Sequence, residues 1–229
     1  MGPFATKGIE YLLVFSYLFC LVPFWWYLRS ISRQQEPALA MAGSASREGP
    51  LRSWFEVPEG FSFHRGHTWA QPEEDGLLRV GMDDFAQQLI GTPSAFHLPA
   101  LGDQLAQGEK GWRLQANRRE VDLLSPLNGE VIAVNPEVLS NPELVCQDPY
   151  GRGWLMKVRA ERPQTALKNL LPGKLARAWM DETANQLSGL MGSELGPVLQ
   201  DGGVPVSGFA RQLAGEDWPE IAAEFLLTS

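Results

Sequence analysis

The sequence predicts an α+β protein in three parts: an N-terminal single transmembrane helix, a mainly-β domain with the pattern of a small barrel or sandwich, and a small C-terminal helical extension. An uncharged apolar run at residues 11–28 indicates the first part. Between residues 60 and 162, short runs of alternating apolar and polar residues are separated by Gly and Pro, which is typical of β-rich folds. Beyond residue 163, apolar residues recur at helical steps of three and four.

The apolar run Tyr11–Leu28 has the length of a membrane-spanning helix. Its 18 residues carry no charge, and as a helix they would extend for roughly 27 Å, close to the hydrocarbon thickness of about 30 Å. A cleaved signal peptide, suggested by Ala38-Leu39-Ala40, is the alternative. The length of the run and the single Lys7 before it favour a retained anchor.

Residues at the end of this run predict the position and orientation of the anchor. Aromatic side chains are enriched at membrane interfaces, and cytoplasmic flanks carry the excess of Lys and Arg. Two arginines follow the span and one lysine precedes it. We therefore predict a single-pass protein of a bacterial-type inner (cytoplasmic) membrane, with the C-terminal domain in the cytoplasm and the lipid bilayer as a partner. The expected interface residues are Trp25, Trp26, Tyr27, Arg29 and Arg33.

Composition and spacing set the remaining boundaries and exclude some partners. The predicted parts are an anchor at 1–33, a linker at 34–59 rich in Ala, Ser, Gly, Gln and Arg, the β domain at 60–162, and the helical extension at 163–229. The net charge is -8, so no nucleic-acid partner is expected. The two cysteines, Cys20 and Cys146, lie in different parts of the chain, which argues against a disulfide.

The stretch 111–128, GWRLQANRREVDLLSPLN, predicts a β-hairpin that leads into a strand at Gly129–Val134. Its polar tip is expected to comprise Asn117, Arg118, Arg119 and Glu120. Elsewhere in the domain, Asp83-Asp84 is the start of a short helix that runs to Ile90, because acidic residues favour a helix N-terminus. Gly91 ends that helix.

Five groups of residues lie in the order in which a known family carries them. They are His67–Trp69, Val80–Gln87, Asp122–Val131, Asn141–Val145 and Asp148–Leu155. With these residues the segment resembles the glycine cleavage system H protein, a lipoyl carrier. The resemblance implies the lipoyl-type fold called the barrel-sandwich hybrid for the β domain. It also implies that residues 164–229 are an addition that ordinary H proteins lack.

The resemblance places the lipoyl-bearing lysine of the family four residues before Asp122, at Arg118. A lysine amine can be acylated with lipoate, whereas an arginine guanidinium stays protonated and is not a nucleophile. Gln115 stands where the family has an acidic residue. The resemblance therefore implies a protein without lipoate or any other cofactor, and not an enzyme. Arg118 and Arg119 become candidate contacts with a protein partner; an anion contact or a solvated tip without further role is the alternative.

No other residues form a site of known chemistry. His64, His67 and His97 lack accompanying ligands at the spacing of a metal site, so no metal is expected. Cys146 has no sequence neighbour that would activate a thiol, which predicts a buried inert side chain. The motifs of phosphate loops, dinucleotide-binding folds and serine hydrolases are absent from the sequence. We therefore expect no catalytic residues and no small-molecule substrate.

Three functions remain open from the sequence. The first is a non-catalytic scaffold subunit that docks an H-protein-like domain onto a larger inner-membrane complex, respiratory or photosynthetic. The second is a membrane-tethered carrier or accessory of the glycine-cleavage type, which works with lipoate-linked enzymes; here Lys110 would be the nearest lysine to the tip. The third, a small-molecule sensor that uses a groove of the domain, has no support in the sequence.

Overall fold

The computed structural model describes residues 54–73, 75–191 and 206–228. The predicted span at residues 11–28 lies outside this part of the chain, as do Cys20 and most of the predicted linker. So do the expected interface residues Trp25, Trp26, Tyr27, Arg29 and Arg33. Of the helices that are described, none is both long and apolar enough to cross a membrane.

Two antiparallel sheets organise the described residues. The larger sheet has seven strands in the order β10-β1-β2-β3-β9-β8-β5, and the smaller has three in the order β4-β6-β7. The strands are β1 Ser62–His64, β2 Thr68–Pro72, β3 Leu78–Met82, β4 Ala95–His97, β5 Gln104–Leu105, β6 Lys110–Ala116, β7 Arg119–Leu124, β8 Gly129–Val134, β9 Met156–Arg159 and β10 Leu171–Pro172.

Seven α-helices in the described residues accompany the sheets and confirm the predicted α+β class. They are α1 Asp84–Ile90, α2 Pro136–Ser140, α3 Leu144–Gln147, α4 Pro163–Ala166, α5 Gly173–Met191, α6 Phe209–Ala214 and α7 Trp218–Leu226. The start of α1 is the one that its sequence predicts. Asp83 is the N-cap, and its carboxylate accepts a hydrogen bond from Ala86 N at 2.8 Å. Gly91 ends the helix with a φ of 85°, which glycine adopts without strain.

The alternating sequence pattern becomes the two faces of the β6–β7 hairpin. Leu114 pairs with Val121 on the buried face, and Arg113 pairs with Asp122 on the outer face. Burial of the apolar set fixes the register, because a slip of one residue would turn every side chain to the opposite face. A hydrogen bond from Thr68 Oγ1 to Leu124 O at 3.0 Å then joins the hairpin to the larger sheet.

The linker predicted at residues 34–59 reaches too far along the chain. Trp54 and Phe55 are buried in the main hydrophobic core. The Tyr150 hydroxyl donates a hydrogen bond to Glu56 O at 2.6 Å and accepts one from Asp84 N at 3.1 Å. Residues 54–57 are therefore packed as part of the domain. The physical reason is that burial of the two aromatic side chains in the core is favourable in free energy, whereas an exposed tether would leave them in water.

The sheet also extends past the boundary predicted at residue 162. Strand β10 pairs with β1, with Phe63 opposite Leu171. The helical pattern predicted beyond residue 163 does not begin as one helix: the structure has the short helix α4, one 3₁₀ turn at Leu167–Asn169 and then β10. The long helix α5 begins only after β10, at Gly173.

Residues 206–228, which we call the C-terminal cap, pack against the domain. Helix α7 contacts β7, and α6 contacts α1. Five cap side chains are buried: Phe209, Ala210, Trp218, Ala222 and Leu226. The ring centroid of Phe209 lies 5.8 Å from that of Phe85, and that of Phe225 lies 5.3 Å from Phe85. The cap therefore shares the core of the domain.

Candidate functional site

The tip of the β6–β7 hairpin is narrower than its sequence predicts. Ala116 pairs with Arg119, which leaves a loop of two residues, Asn117 and Arg118. Both have positive φ, at 48° and 64°. This is the backbone of the type I′ turn that right-twisted hairpins prefer, and asparagine tolerates it well. Arg119 and Glu120, which were predicted in the tip, belong to β7 instead.

The outer face of the hairpin carries a network of ion pairs. Arg113 Nε donates to Asp122 Oδ1 at 2.8 Å, and Lys110 Nζ donates to Asp122 Oδ2 at 2.7 Å. Arg113 Nη1 reaches Glu120 Oε2 at 2.9 Å. Burial by itself would raise the pKa of Asp122, but the hydrogen bonds from Lys110 and Arg113 outweigh it and lower that pKa. These four charges therefore neutralise one another.

The charge at the tip is less well compensated. Arg118 is exposed and forms no ion pair or hydrogen bond with any residue that the structure describes. Arg119 Nη2 lies 3.9 Å from Glu216 Oε2 of the C-terminal cap, and both side chains are largely exposed. A cleft of about 560 Å³ lies beside the tip, with Asn117 and Arg211 among its lining residues. The tip thus presents guanidinium groups that are available to an acidic surface.

The three histidines do not come together as a metal site. His67 is buried, and its Nδ1 lies 2.9 Å from Asp83 Oδ2. His64 Nδ1 instead accepts a hydrogen bond from Gly66 N at 3.1 Å; burial, and to a lesser degree the nearby His67, lower the pKa of His64. His97 is exposed on β4. In the described residues, no three His, Cys, Asp or Glu side chains are grouped as metal ligands.

The Cys146 thiol lies in α3, is half-buried and forms no disulfide with any described residue; its Sγ lies 3.9 Å from Gly91 O. Burial, and then the charge of Glu143, raise its pKa to about 11. A thiol with so high a pKa is almost fully protonated at neutral pH and is a poor nucleophile. This agrees with the inert role predicted for it.

A groove between α5 and α7 has no counterpart in the sequence predictions. Its volume is about 600 Å³, and it lies over the turn between β1 and β2. Helix α5 contributes Trp179 and Gly189 among others, α7 contributes Phe225, and His67 lines the groove from the β1–β2 turn. Apolar residues three and four positions apart predicted the apolar face of α5, but no sequence signal pairs that face with a helix that begins 27 residues after α5 ends.

Comparisons with known proteins identify the family. The profile of the glycine cleavage H-protein family matches residues 61–183. A glycine cleavage system H protein of Mycolicibacterium vanbaalenii is 37% identical over 125 residues, which are 54% of this chain and 95% of that protein. A probable glycine cleavage system H protein of Pyrococcus horikoshii is 33% identical over 117 residues, 51% of this chain and 87% of that protein.

Among solved structures, a glycine cleavage system H protein from Mycobacterium marinum is similar, with 28% identity and a TM-score of 0.47, covering 58% of this chain and 99% of that one. The region matched by the family profile ends at residue 183, so it includes β10 and the first half of α5. It therefore extends beyond Leu155, the last residue of the five groups that carry the resemblance in the sequence. The profile covers more than half of the chain, and this protein therefore belongs to the glycine cleavage H-protein family.

Proposed function

We propose that this protein is a non-lipoylated accessory member of the H-protein family, which docks onto a partner through its hairpin tip instead of carrying a group on it. The observation that carries the proposal is Arg118 at the second position of the two-residue turn. The resemblance aligns this residue with the lipoyl lysine. The family is one of carrier proteins rather than enzymes, which supports a role without catalysis.

The nearest lysine is a poor substitute for a carrier residue at the tip. Lys110 is the first residue of β6, seven positions before Asn117. At about 3.3 Å per strand residue, that is roughly 23 Å from the turn. Its Nζ is also held 2.7 Å from Asp122 Oδ2. An acyl group on Lys110 would therefore start at the base of the hairpin and not at its end.

The tip is instead suited to a charged contact. A guanidinium donates two parallel hydrogen bonds to a carboxylate, and this geometry makes arginine common at specific acidic interfaces. Arg118 has no partner in the described part of the chain, and Arg119 is only loosely paired with Glu216. We propose that Arg118 and Arg119 contact carboxylates on the partner protein.

Two kinds of partner remain as proposals. One is a set of lipoate-linked enzymes of the glycine-cleavage type, with this chain as a membrane-tethered accessory. The other is a larger inner-membrane complex, respiratory or photosynthetic, in which the chain would be a scaffold subunit. The family match supports the first kind more than the second. The anchor at residues 11–28 and the cytoplasmic side of the domain are part of both proposals and rest on the sequence alone.

Intact-mass measurement after co-expression with a lipoate ligase tests the absence of a carried group. We expect no lipoyl increment on the wild-type protein. We expect little on Arg118→Lys, because the ligase must also recognise the flanking surface, where Gln115 replaces an acidic residue of the family and Arg119 adds a positive charge next to the target. The double variant with Gln115→Glu and Arg118→Lys should be modified more. Lys110→Arg is the control for modification at the base of the hairpin.

Each result of that experiment bears on a different part of the proposal. A lipoyl increment on the wild-type chain that disappears in Lys110→Arg would identify a carrier and contradict the proposal. Full modification of the single Arg118→Lys variant would show that the recognition surface of a carrier is intact, and would weaken the argument that the tip faces a different partner.

Co-purification from membranes in mild detergent tests the docking contact. We expect partner proteins to be lost from the double variant Arg118→Ala and Arg119→Ala and kept by Arg162→Ala, an exposed arginine elsewhere on the domain. Recovery of lipoate-linked enzymes would favour the first kind of partner, and recovery of electron-transfer subunits the second. Release of the wild-type chain from membranes by alkaline carbonate would contradict the anchor.

A further inference from the structure

The His67 side chain is held in place on three sides at the floor of the α5–α7 groove. Its ring centroid lies 4.1 Å from that of Phe85, in a stacked arrangement, and 4.6 Å from that of Trp179. Its Nδ1 lies 2.9 Å from the buried carboxylate of Asp83. Only 1% of the residue is exposed. The orientation of the imidazole is therefore fixed before anything enters the groove.

The second nitrogen of the ring has no partner within residues 54–73, 75–191 and 206–228. His67 Nε2 makes no hydrogen bond with the residues that the structure describes. It is not one of the fully buried polar atoms that lack a partner, so the atom is accessible from the groove, and a polar atom of this kind is usually satisfied by water or by a ligand. Nδ1 is turned to Asp83, and His67 lines the groove. Nε2 is therefore the ring atom that can form a hydrogen bond with a molecule bound in the groove.

The groove has both aromatic and polar lining: besides His67, the polar residues are Arg65, Thr183, Gln186 and Glu224. Trp179 of α5 and Phe225 of α7 are half-buried and line the groove. Leu190 and Leu227, which also line it, are 54% and 52% exposed. The volume of about 600 Å³ lies within the range of small-molecule sites, roughly 300–1,000 Å³. The groove thus combines two aromatic side chains with a histidine whose orientation is fixed by buried contacts, and polar side chains complete its lining.

We propose that the α5–α7 groove binds a small hydroxylated aromatic compound, with its ring between Trp179 and Phe225 and its hydroxyl on His67 Nε2. A planar ring suits aromatic walls. A hydroxyl both donates and accepts, so it satisfies Nε2 whether the imidazole is neutral or protonated. A carboxylate could only accept, and it would bring a second negative charge towards the buried Asp83.

This site is independent of the docking role proposed for the hairpin tip. Most of its lining residues lie beyond residue 183, where the family match ends. They belong to the second half of α5, to α7 of the C-terminal cap and to Leu227, which directly follows α7. The groove is therefore built mainly from parts of the chain outside the matched domain.

Gly189 allows the groove to be blocked without disturbing the core. It lies on α5 and lines the groove, and a Cβ added there meets no atom within 4 Å. A leucine at this position would extend into the groove, and it also favours a helix more than glycine does. Asn185→Leu is the matched control, because Asn185 is exposed on the same helix and does not line the groove.

The test measures binding of p-cresol and toluene to the full chain by NMR, with the imidazole nitrogens followed in long-range proton–nitrogen spectra. We expect p-cresol to shift the Nε2 resonance of His67 and to leave that of the exposed His97 unchanged. Its affinity should exceed that of toluene by on the order of three- to tenfold, the contribution of one hydrogen bond. Gly189→Leu should weaken p-cresol binding by about tenfold or more, and Asn185→Leu should not. All variants are measured in the same solubilising medium, so that partition of the probe into that medium cancels.

Three results would overturn the proposal. The first is equal affinity for p-cresol and toluene, which would remove the role of the hydroxyl. The second is p-cresol binding that shifts no His67 resonance. The third is equal binding by the wild-type chain and Gly189→Leu, which would place the probe elsewhere on the molecule.

Discussion

Replacing Phe209 by alanine should destabilise the whole domain and not merely loosen the C-terminal cap. Phe209 is fully buried, and its ring lies 5.8 Å from that of Phe85 and 6.4 Å from that of Phe55. These two contacts join the cap both to α1 and to the segment that precedes β1. The substitution therefore removes an aromatic side chain from the point where three distant parts of the chain meet.

The expected loss is large relative to the stability of a typical domain. A buried Phe→Ala change costs about 3–5 kcal/mol, which includes the cavity it leaves. Typical domains unfold with only about 5–15 kcal/mol. For a chain of this size, each kcal/mol lowers the melting temperature by about 2–4 °C, so Phe209→Ala should lower it by roughly 6–20 °C.

Thermal unfolding of the full-length protein measures this change. Near-ultraviolet circular dichroism reports the packing of aromatic side chains, and far-ultraviolet circular dichroism reports the helix content. The control is Val206→Ala, since Val206 belongs to the same cap and is 57% exposed; its melting temperature should stay within about 2 °C of the wild-type value. The reasoning would be refuted by a melting temperature of Phe209→Ala equal to that of the control. It would also be refuted by an early, separate loss of helicity with the aromatic signal unchanged, because the cap would then not share the core.

Three further predictions concern single sites. Gly81→Ala should cost about 1–3 kcal/mol by overpacking, because the new Cβ would lie 2.5 Å from Cζ2 of the buried Trp69; an unchanged urea midpoint would contradict this. The Asp122 carboxyl should titrate below its ordinary pKa of 3.8 in carbon-13 NMR spectra, since hydrogen bonds from Lys110 and Arg113 overcome the effect of burial. The contribution of this carboxylate to stability is then present above about pH 3.8 and is lost as the pH falls through its folded-state pKa. Lys110→Gln should raise the midpoint of the Asp122 titration, and a wild-type titration midpoint above 3.8 would count against the network of ion pairs. With a pKa of about 11, the Cys146 thiol should be ionised in only about one molecule in a thousand at pH 8. Iodoacetamide should therefore label it slowly until the protein is denatured. Equal labelling rates in the folded and the denatured protein would show that the thiol is not protected.

The hairpin shows how far local sequence determines structure. Alternating side chains in residues 111–124 gave both strands, and the register follows because the buried face admits one pairing. The length of the tip was misjudged, however. Polarity marked Asn117 to Glu120 as loop, but polar residues are equally suited to the exposed end of a strand, and only the pairing of Ala116 with Arg119 shows that the turn has two residues.

The α1 helix was predicted correctly at both ends because its signals are local. Asp83 acts through the helix backbone three residues away, and Gly91 through its own φ angle. Strand β10 and residues 54–57 were missed for the opposite reason. Two residues of strand and four residues of polar–aromatic chain carry no period of their own, and each is ordered by a contact with a remote segment.

The sequence by itself determined the family resemblance, the arginine at the hairpin tip, the apolar run at residues 11–28 and the helical nature of the C-terminal extension. Each depends on residue identity or on spacing within one short stretch. Only the tertiary structure decided that the C-terminal cap joins the core, that His67 is fixed by Asp83 and two aromatic rings, and that α5 and α7 enclose a groove. Periodicity shows that a helix has an apolar face, but which surface covers that face depends on free energies of contact between segments that are far apart in the chain.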